Sequence, residues 1–386
     1  MNILHITYDL RDRHNREKTT AVKRLIDCSN TFADVSVIDI VRVASFKAEK
    51  TEFRTPDHLI INSFGLPYGL FFNLMQNRAF KKIIKAIKQG QFEIEKADLI
   101  HSHKLTFDGY IGYKLAKLYN KPFVISLRQT DVAVLRMKYF LRKSFKKIII
   151  YSKGMIYLIP QMLVEMEKLY GMSFFDKYIR PKSILMPNVI NRGKNSTGLS
   201  VEERTFLTIL IMDRRIIRRK NIKRLLKAFK LLMDKNLKLQ IIGDGNSRYK
   251  IEKWIDKLGL RNNVELLGRI DNDKIDKYYA RAEAFLLPSL SESFGMVYAE
   301  ALQNGTPILY SKGYLGFDGF FENVGVGVNP KSIEAIKNGI LDLLINGNKY
   351  RKQINILMKS GEFNIFNSDY ITKRYQSVVT DCIQSN

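Results

Sequence analysis

The sequence predicts an α/β protein built from two doubly wound parallel-sheet domains. Short apolar runs of strand length alternate with amphipathic helical segments through both halves of the chain. With 386 residues and 45% hydrophobic content, the length suits about two domains and supplies a large core. Residues 285–309 read as one complete turn of such a wind. An apolar strand leads into a turn at Pro288 and Ser289, a helix opens near Phe294 or Gly295 and stops at Gly305, and a new strand starts at Pro307. Turns of this kind place ligands at the carboxyl ends of strands.

The first half opens with a strand at 3–7, followed by a charged turn over 9–18 that contains Arg13 and Arg16. A helix is expected from about Thr19. Residues 71–88 carry an apolar stripe opposite Arg78, Lys81, Lys82, Lys85 and Lys88, which is the pattern of a basic amphipathic helix. The strand at 97–103 ends in His101 and His103, whose i, i+2 spacing puts both rings on one face. No third ligand lies near them in sequence, so no metal is expected there. Another strand and turn at 121–131 delivers Arg128 and Asp131. Residues 136–147 then hold six basic residues and no acid, interleaved with Met137, Tyr139, Phe140, Leu141 and Phe145. That mixture favours a membrane surface, with a core helix bearing a solvated basic face as the alternative. The apolar run 148–152 reads as a buried strand, and 183–186 as the last strand before Pro187 and Asn188. Residues 192–198 form a polar linker whose Gly193 and Lys194 lack the upstream glycine of a phosphate-binding loop.

The second half begins with a strand at 206–212 and a run of five cations, Arg214, Arg215, Arg218, Arg219 and Lys220, beside a helix that extends to about Met233. Positive charge at a helix start opposes the dipole, which points to an anionic ligand. A strand at 239–245 ends in a turn with Gly243, and the next, at 264–269, ends in Gly268 and Arg269. Asp271 and Asp273 have the Asp-x-Asp spacing of a metal site but sit where a helix cap is expected, so capping is the better reading. Glu292 precedes the helix of the 285–309 stretch and Glu300 lies within it. Counted at helical pitch they stand about 80° from a common face, so they line one pocket at two depths. Backbone N–H groups of Ser293, Phe294 and Gly295 at the helix start favour an anion. The last segment, 368–382, sets Ile371, Tyr375, Val378 and Cys382 on one stripe.

The formal net charge is +26, with 34 basic and 17 acidic residues in 1–200 against 30 and 21 in the remainder. The basic excess is therefore concentrated in the first half, which points that half at an anionic partner such as lipid, polyanionic glycan or nucleic acid. No nucleic-acid fold signature accompanies it, and none is expected as a partner. Cys28 and Cys382 are the two cysteines, far apart in sequence, in keeping with a reducing compartment. The N-terminal residues read as a strand rather than a signal peptide, and no apolar run approaches the ~20 residues of a membrane span. A cytoplasmic protein is expected, peripheral on the inner face of the plasma membrane.

Glu292 and Glu300, followed by Ala301, Gly305, Thr306 and Pro307, resemble the donor-binding signature of glycosyltransferase family 4, the glycosyl transferases group 1. The resemblance implies a GT-B fold, two Rossmann-like domains facing a cleft. Residues 1–190 would be the acceptor-binding domain, with helix 368–386 crossing back onto it, and residues 200–366 the nucleotide-sugar-binding domain. It implies a retaining, hexosyltransferase-type enzyme moving a sugar from a UDP- or GDP-linked donor to a glycan or lipid-linked oligosaccharide, as in capsule or lipopolysaccharide biosynthesis. Arg215 and Lys220 match the family's cations that clamp the donor diphosphate, replacing a metal, so no cofactor is expected. Glu300 would accept hydrogen bonds from the ribose, and Glu292 with backbone N–H groups of Phe294 and Gly295 would hold the sugar. Ser293, Met296, Gly243, Gly268, Arg269 and Asn188 complete the implied donor site. His103 borders the implied cleft and is a candidate for substrate contact. Arg128 stands where the family has a histidine, and Asp131 fits the aspartate behind it. Arginine cannot act as a base at neutral pH but binds phosphate or carboxylate. Two alternatives stay open: a sugar-nucleotide enzyme of the same fold that does not transfer, such as an epimerase, and a basic nucleic-acid-binding protein.

Overall fold

The computed structural model describes residues 1–8, 10, 21–43, 51–55, 57–64, 72–90, 92–190, 199–314, 316–318 and 320–385. The charged turn with Arg13 and Arg16 and the linker at 192–198 lie outside the described residues. The chain forms two compact units, Met1–Val189 with Asn367–Asn386, and Ile190–Phe366.

The first unit is built on an eight-stranded sheet of order β3-β4-β2-β1-β5-β6-β7-β8. Its strands are β1 (Asn2–Thr7), β2 (Asp34–Val43), β3 (Thr51–Thr55), β4 (His58–Phe64), β5 (Leu99–Ser102), β6 (Phe123–Leu127), β7 (Gly154–Tyr157) and β8 (Ser183–Leu185). All neighbours pair in parallel except the edge strand β3, which is antiparallel to β4. Strands buried on both faces read as continuous apolar runs, and β5 and β6 are buried at every residue. The helix Ser368–Gln384 belongs to this unit. Its stripe of Ile371, Tyr375, Val378 and Cys382, joined by Val379, closes a core with Ile3, Leu99, Val124 and Ile156. Cys28 and Cys382 are free thiols within that core.

The second unit has six parallel strands in the order β11-β10-β9-β12-β13-β14. They are β9 (Thr205–Ile209), β10 (Lys238–Ile242), β11 (Val264–Gly268), β12 (Phe285–Leu286), β13 (Ile308–Ser311) and β14 (Gly325–Val328). In each sheet the winding reverses once, between β1 and β5 and between β9 and β12. The crevice beyond the carboxyl ends of strands at such a reversal is where open α/β sheets bind ligands. In the second unit that point is flanked by the segments after β9 and after β12, which carry the cation run and the two glutamates.

Three local expectations are corrected. Residues 148–152 are not a strand but the end of the helix Arg142–Tyr151, and the strand is β7, just beyond. Ile148 and Ile149 are buried while Ile150 is 47% exposed, a helical alternation that a four-residue apolar run cannot display by itself. The cation run does not simply precede the helix: four of its five cations form a short helix of their own, Arg214–Arg219, and Asn221 in the left-handed conformation (φ 62°) stands before the expected helix, Ile222–Lys230, which ends short of Met233. Asp271 precedes a 3-10 turn at Asn272–Lys274 yet makes no side-chain cap bond, and it lies exposed, 3.6 Å from Lys274 Nζ.

Candidate active site

At the reversal point of the second unit the chain leaves β12 through Pro288 and Ser289, and the helix Met296–Gln303 starts after Gly295. Gly295 has φ 78°, and a Cβ there would overlap the Tyr298 ring, so a glycine is required where the chain turns into the helix. Glu292 therefore lies in the loop and not on the helix, and its relation to Glu300 is set by this turn instead of by helical phase. Lys220 Nζ forms an ion pair with Glu292 Oε2, and Ser289 Oγ lies 3.3 Å from the same oxygen. Both charged side chains are largely enclosed, at 11% and 13% exposure. Two charges are kept out of water only when paired, so each fixes the other. Glu300 is 9% exposed and accepts a hydrogen bond from Tyr279 Oη at 3.1 Å. Burial, with the Glu292 charge nearby, holds the Tyr298 phenol well above its ordinary value, and its hydroxyl donates to the Leu287 carbonyl.

The remaining predicted residues of this unit divide. Phe294 is buried, packed edge-on against Phe317, Phe320 and Phe366, so only its backbone faces the turn. Ser293 is exposed, and Met296 half-buried, at the first position of the helix. Arg215 is exposed on the helix Arg214–Arg219. Gly243 has φ 129°, and its N–H donates to the Gly268 carbonyl at 2.7 Å. A Cβ on Gly243 would overlap the Leu210 carbonyl, so glycine lets the turns after β9 and β10 approach. Arg269 is exposed just after Gly268.

In the first unit four predicted residues meet at the carboxyl edge. Arg128 Nε donates to the His103 carbonyl at 3.2 Å, and its Nη1 to Asn188 Oδ1 at 3.1 Å. Asp131 accepts the Arg128 N–H at 2.7 Å through Oδ2, while Oδ1 accepts the Thr106 N–H at 2.8 Å and the Thr106 hydroxyl at 2.5 Å. Burial raises the Asp131 carboxyl pKa, against these hydrogen bonds that favour the anion. Arg128 and Asn188 also line a small cavity with Ser126, Leu158 and Pro187.

His5 is the residue that sequence reasoning missed. The parallel pairing of β1 and β5 sets it in register with His101, and it stacks on His103 at 5.1 Å between ring centroids. No local spacing marks it, because its partners lie 96 and 98 residues away. His5, His101 and His103 are fully buried, with ring nitrogens within 4.8 Å of one another, a grouping able to hold a metal ion. Ser29 Oγ donates to the Ile26 carbonyl at 2.7 Å, so it accepts from His5 Nε2 at 3.0 Å. His5 Nδ1 is then the acceptor for His103 Nε2 at 2.9 Å. The His101 nitrogens face Tyr375 Oη at 2.7 Å and Ser126 Oγ at 2.8 Å. A metal would therefore have to displace hydrogen bonds already made. Desolvation brings the His5 pKa down to about 3 and holds the other two well below the ordinary value.

Residues 201–357 match the family model described as Glycosyl transferases group 1. An uncharacterized glycosyltransferase of Methanocaldococcus jannaschii is 27% identical over 316 residues, spanning 75% of this chain and 77% of that protein. The alpha-monoglucosyldiacylglycerol synthase of Acholeplasma laidlawii is 26% identical over 325 residues, with coverage of 75% and 77%. Among solved structures, Anabaena HepE in complex with UDP and glucose is similar at a TM-score of 0.66 over 99% of this chain and 100% of that one, at 15% identity. Fold and relatives together define a glycosyltransferase of GT-B architecture. Residues 201–357, which match the glycosyl transferases group 1 model, contain the cation run, both glutamates and all six strands of the second sheet.

Proposed function

We propose that the protein is a retaining glycosyltransferase of the family 4 type. It takes a sugar from a nucleoside-diphosphate sugar, UDP- or GDP-linked, and delivers it to a glycan or lipid-linked acceptor in the making of a surface polysaccharide or glycolipid. The observation that carries this reading is the enclosed Lys220–Glu292 pair at the winding reversal of the second unit, with Glu300 eight positions further on. Lys220 and Arg215 bind the diphosphate, and Lys220 exchanges part of its contact with Glu292 for the phosphate when the donor enters. Glu292 then accepts hydroxyl hydrogens of the sugar, and Glu300 those of the ribose. As the bond from the anomeric carbon to the phosphate oxygen breaks, its electron pair goes to the diphosphate, whose charge the two cations stabilise. The acceptor oxygen bonds to the same face of the anomeric carbon, and its proton passes to the leaving phosphate. This scheme uses no metal and no protein nucleophile. The basic helices of the first unit hold the protein to an anionic membrane surface on the cytoplasmic side, within reach of a lipid-linked acceptor. The kinship with a synthase named for a glucosylated diacylglycerol supports that placement.

The test is donor turnover in the presence of EDTA by the wild type and Glu292→Gln, with the anomeric configuration of the product read by NMR. Metal-independent transfer with retention, reduced at least ~100-fold by the substitution, is expected. An inverted product, or activity restored only by manganese or magnesium, would overturn the mechanism.

A further inference from the structure

We propose that Asn221 is a positioning residue that sets Glu292 against Lys220, an inference that rests on the functional reading above. Asn221 follows Lys220 directly, is 3% exposed, and adopts the left-handed conformation between the helices Arg214–Arg219 and Ile222–Lys230. Asparagine tolerates this conformation better than other side-chain-bearing residues. Its side chain does not cap the following helix. The amide nitrogen instead donates one hydrogen to the Pro288 carbonyl at 2.9 Å and the other to the Pro330 carbonyl at 2.7 Å. The amide oxygen accepts from Arg224 Nη1 at 3.1 Å, which fixes the orientation of the amide.

These two carbonyls belong to the segments that leave the carboxyl ends of β12 and β14, so one buried amide ties both to the residue beside Lys220. The turn it holds leads directly to Glu292. The Leu290 N–H donates to the Arg219 carbonyl at 2.8 Å, and Ser311 Oγ donates to the Ser289 carbonyl at 2.7 Å. The turn is thus gripped at three successive residues, and two of the grips come from the positions that flank Lys220. Among uncharged side chains only a primary amide supplies two donors from one atom; aspartate supplies none, and glycine keeps the backbone while losing both. The distance from cation to carboxylate is therefore set by a local frame that neither charge provides.

The experiment is a double-mutant cycle of Asn221→Gly with Glu292→Gln. It is measured as nucleotide release from UDP-glucose, UDP-N-acetylglucosamine or GDP-mannose, whichever the wild type turns over fastest. Asn221→Asp serves as a second variant, and Asn236→Asp, at an exposed left-handed asparagine elsewhere in the unit, is the control. Asn221→Gly is expected to lower kcat/KM roughly tenfold in the wild type and less than about twofold in the Glu292→Gln background, because its effect passes through that carboxylate. Equal losses in both backgrounds would show a merely structural role and overturn the proposal while leaving the functional reading intact. If Glu292→Gln alone changes nothing, or no donor is turned over, the functional reading fails and this inference fails with it. Failure of both Asn221 variants to unfold cooperatively would mark the amide as part of the fold alone and also overturn the proposal.

Discussion

Glu300 is enclosed and accepts a hydrogen bond from the Tyr279 phenol, and a donor hydroxyl entering its site would add to that partner. Glu300→Gln removes the charge and keeps the shape, and a lost charge-assisted hydrogen bond costs about 1.5–3 kcal/mol. Calorimetric affinity for the donor nucleotide is expected to fall at least tenfold with little change in melting temperature. Unchanged affinity with lost cooperative unfolding would assign Glu300 to the fold. The histidine cluster gives a second expectation at this scale. Folding lowers all three pKa values from 6.5, that of His5 to about 3, so below 6.5 the unfolded chain binds protons that the folded one does not. Stability is then fully present above pH 6.5 and is lost as pH falls towards the folded values. At pH 5.5, one unit below the unfolded value, each neutral histidine costs about 1.4 kcal/mol. Asp131, with its pKa raised by burial, works in the opposite direction, but it is one group against three. Urea midpoints measured at pH 7.5 and 5.5 should differ clearly; equal midpoints would show that the three rings are not held neutral.

The helix Ser368–Gln384 lends itself to a prediction at the scale of an element. It contributes Ile371, Tyr375, Val378, Val379 and Cys382 to the core of the first unit, and Tyr375 Oη faces His101 in the buried cluster. Burying each large side chain is worth about 1.5–3 kcal/mol, so their sum is comparable to the whole stability of a typical domain. A chain ending at Phe366 should lose the cooperative unfolding transition of the first unit, followed by proteolysis with mass spectrometry; a protected 1–189 segment would contradict this. The stripe on this helix was legible in the sequence because its spacing is local. So was the 285–309 wind, where Gly295 and Gly305 punctuate strand and helix within one short stretch. The run at 148–152 was not, since four apolar residues suit a strand or the last helical turn equally and only the position of β7 decides. Asn221 was hidden for a different reason, because its amide meets the carbonyls of Pro288 and Pro330, 67 and 109 residues away, and no local pattern marks such partners. His5 was out of reach altogether, since its role depends on which distant strand pairs with β1. In the site, residue types and spacing exposed Lys220 and Glu292 as candidates, while the frame of carbonyls around them follows from the winding reversal.

For the whole molecule the governing property is the net charge of +26 and its uneven distribution. No acidic residue occurs between Val132 and Val164, where the structure exposes Met137 (69%), Tyr139 (73%) and Phe140 (55%) beside the basic helix Arg142–Tyr151. No helix of the described residues is long and apolar enough to cross a membrane. Two of the six cations in 136–147 are already committed: Arg136 pairs with Glu165, and Arg142 Nε donates to the Leu135 carbonyl at 2.8 Å. Lys138, Lys143, Lys146 and Lys147 remain, the second and fourth exposed and the others half-buried, with Lys146 Nζ 4.7 Å from the Phe174 ring centroid. At ~1 kcal/mol for each cation near an anionic bilayer, four lysines give weak and reversible attachment, to which the exposed aromatic residues add. Attachment of this origin falls steeply with ionic strength, whereas an anchor made by the aromatic residues alone would persist. Wild type should therefore sediment with liposomes containing anionic lipid at low salt and be released in 0.5 M salt. A variant with the four lysines changed to Gln should stay in the supernatant while retaining donor turnover. If both proteins sediment equally, or the wild type does not sediment at low salt, membrane docking through this segment is wrong, and the basic excess would then be assigned to a polyanionic acceptor glycan.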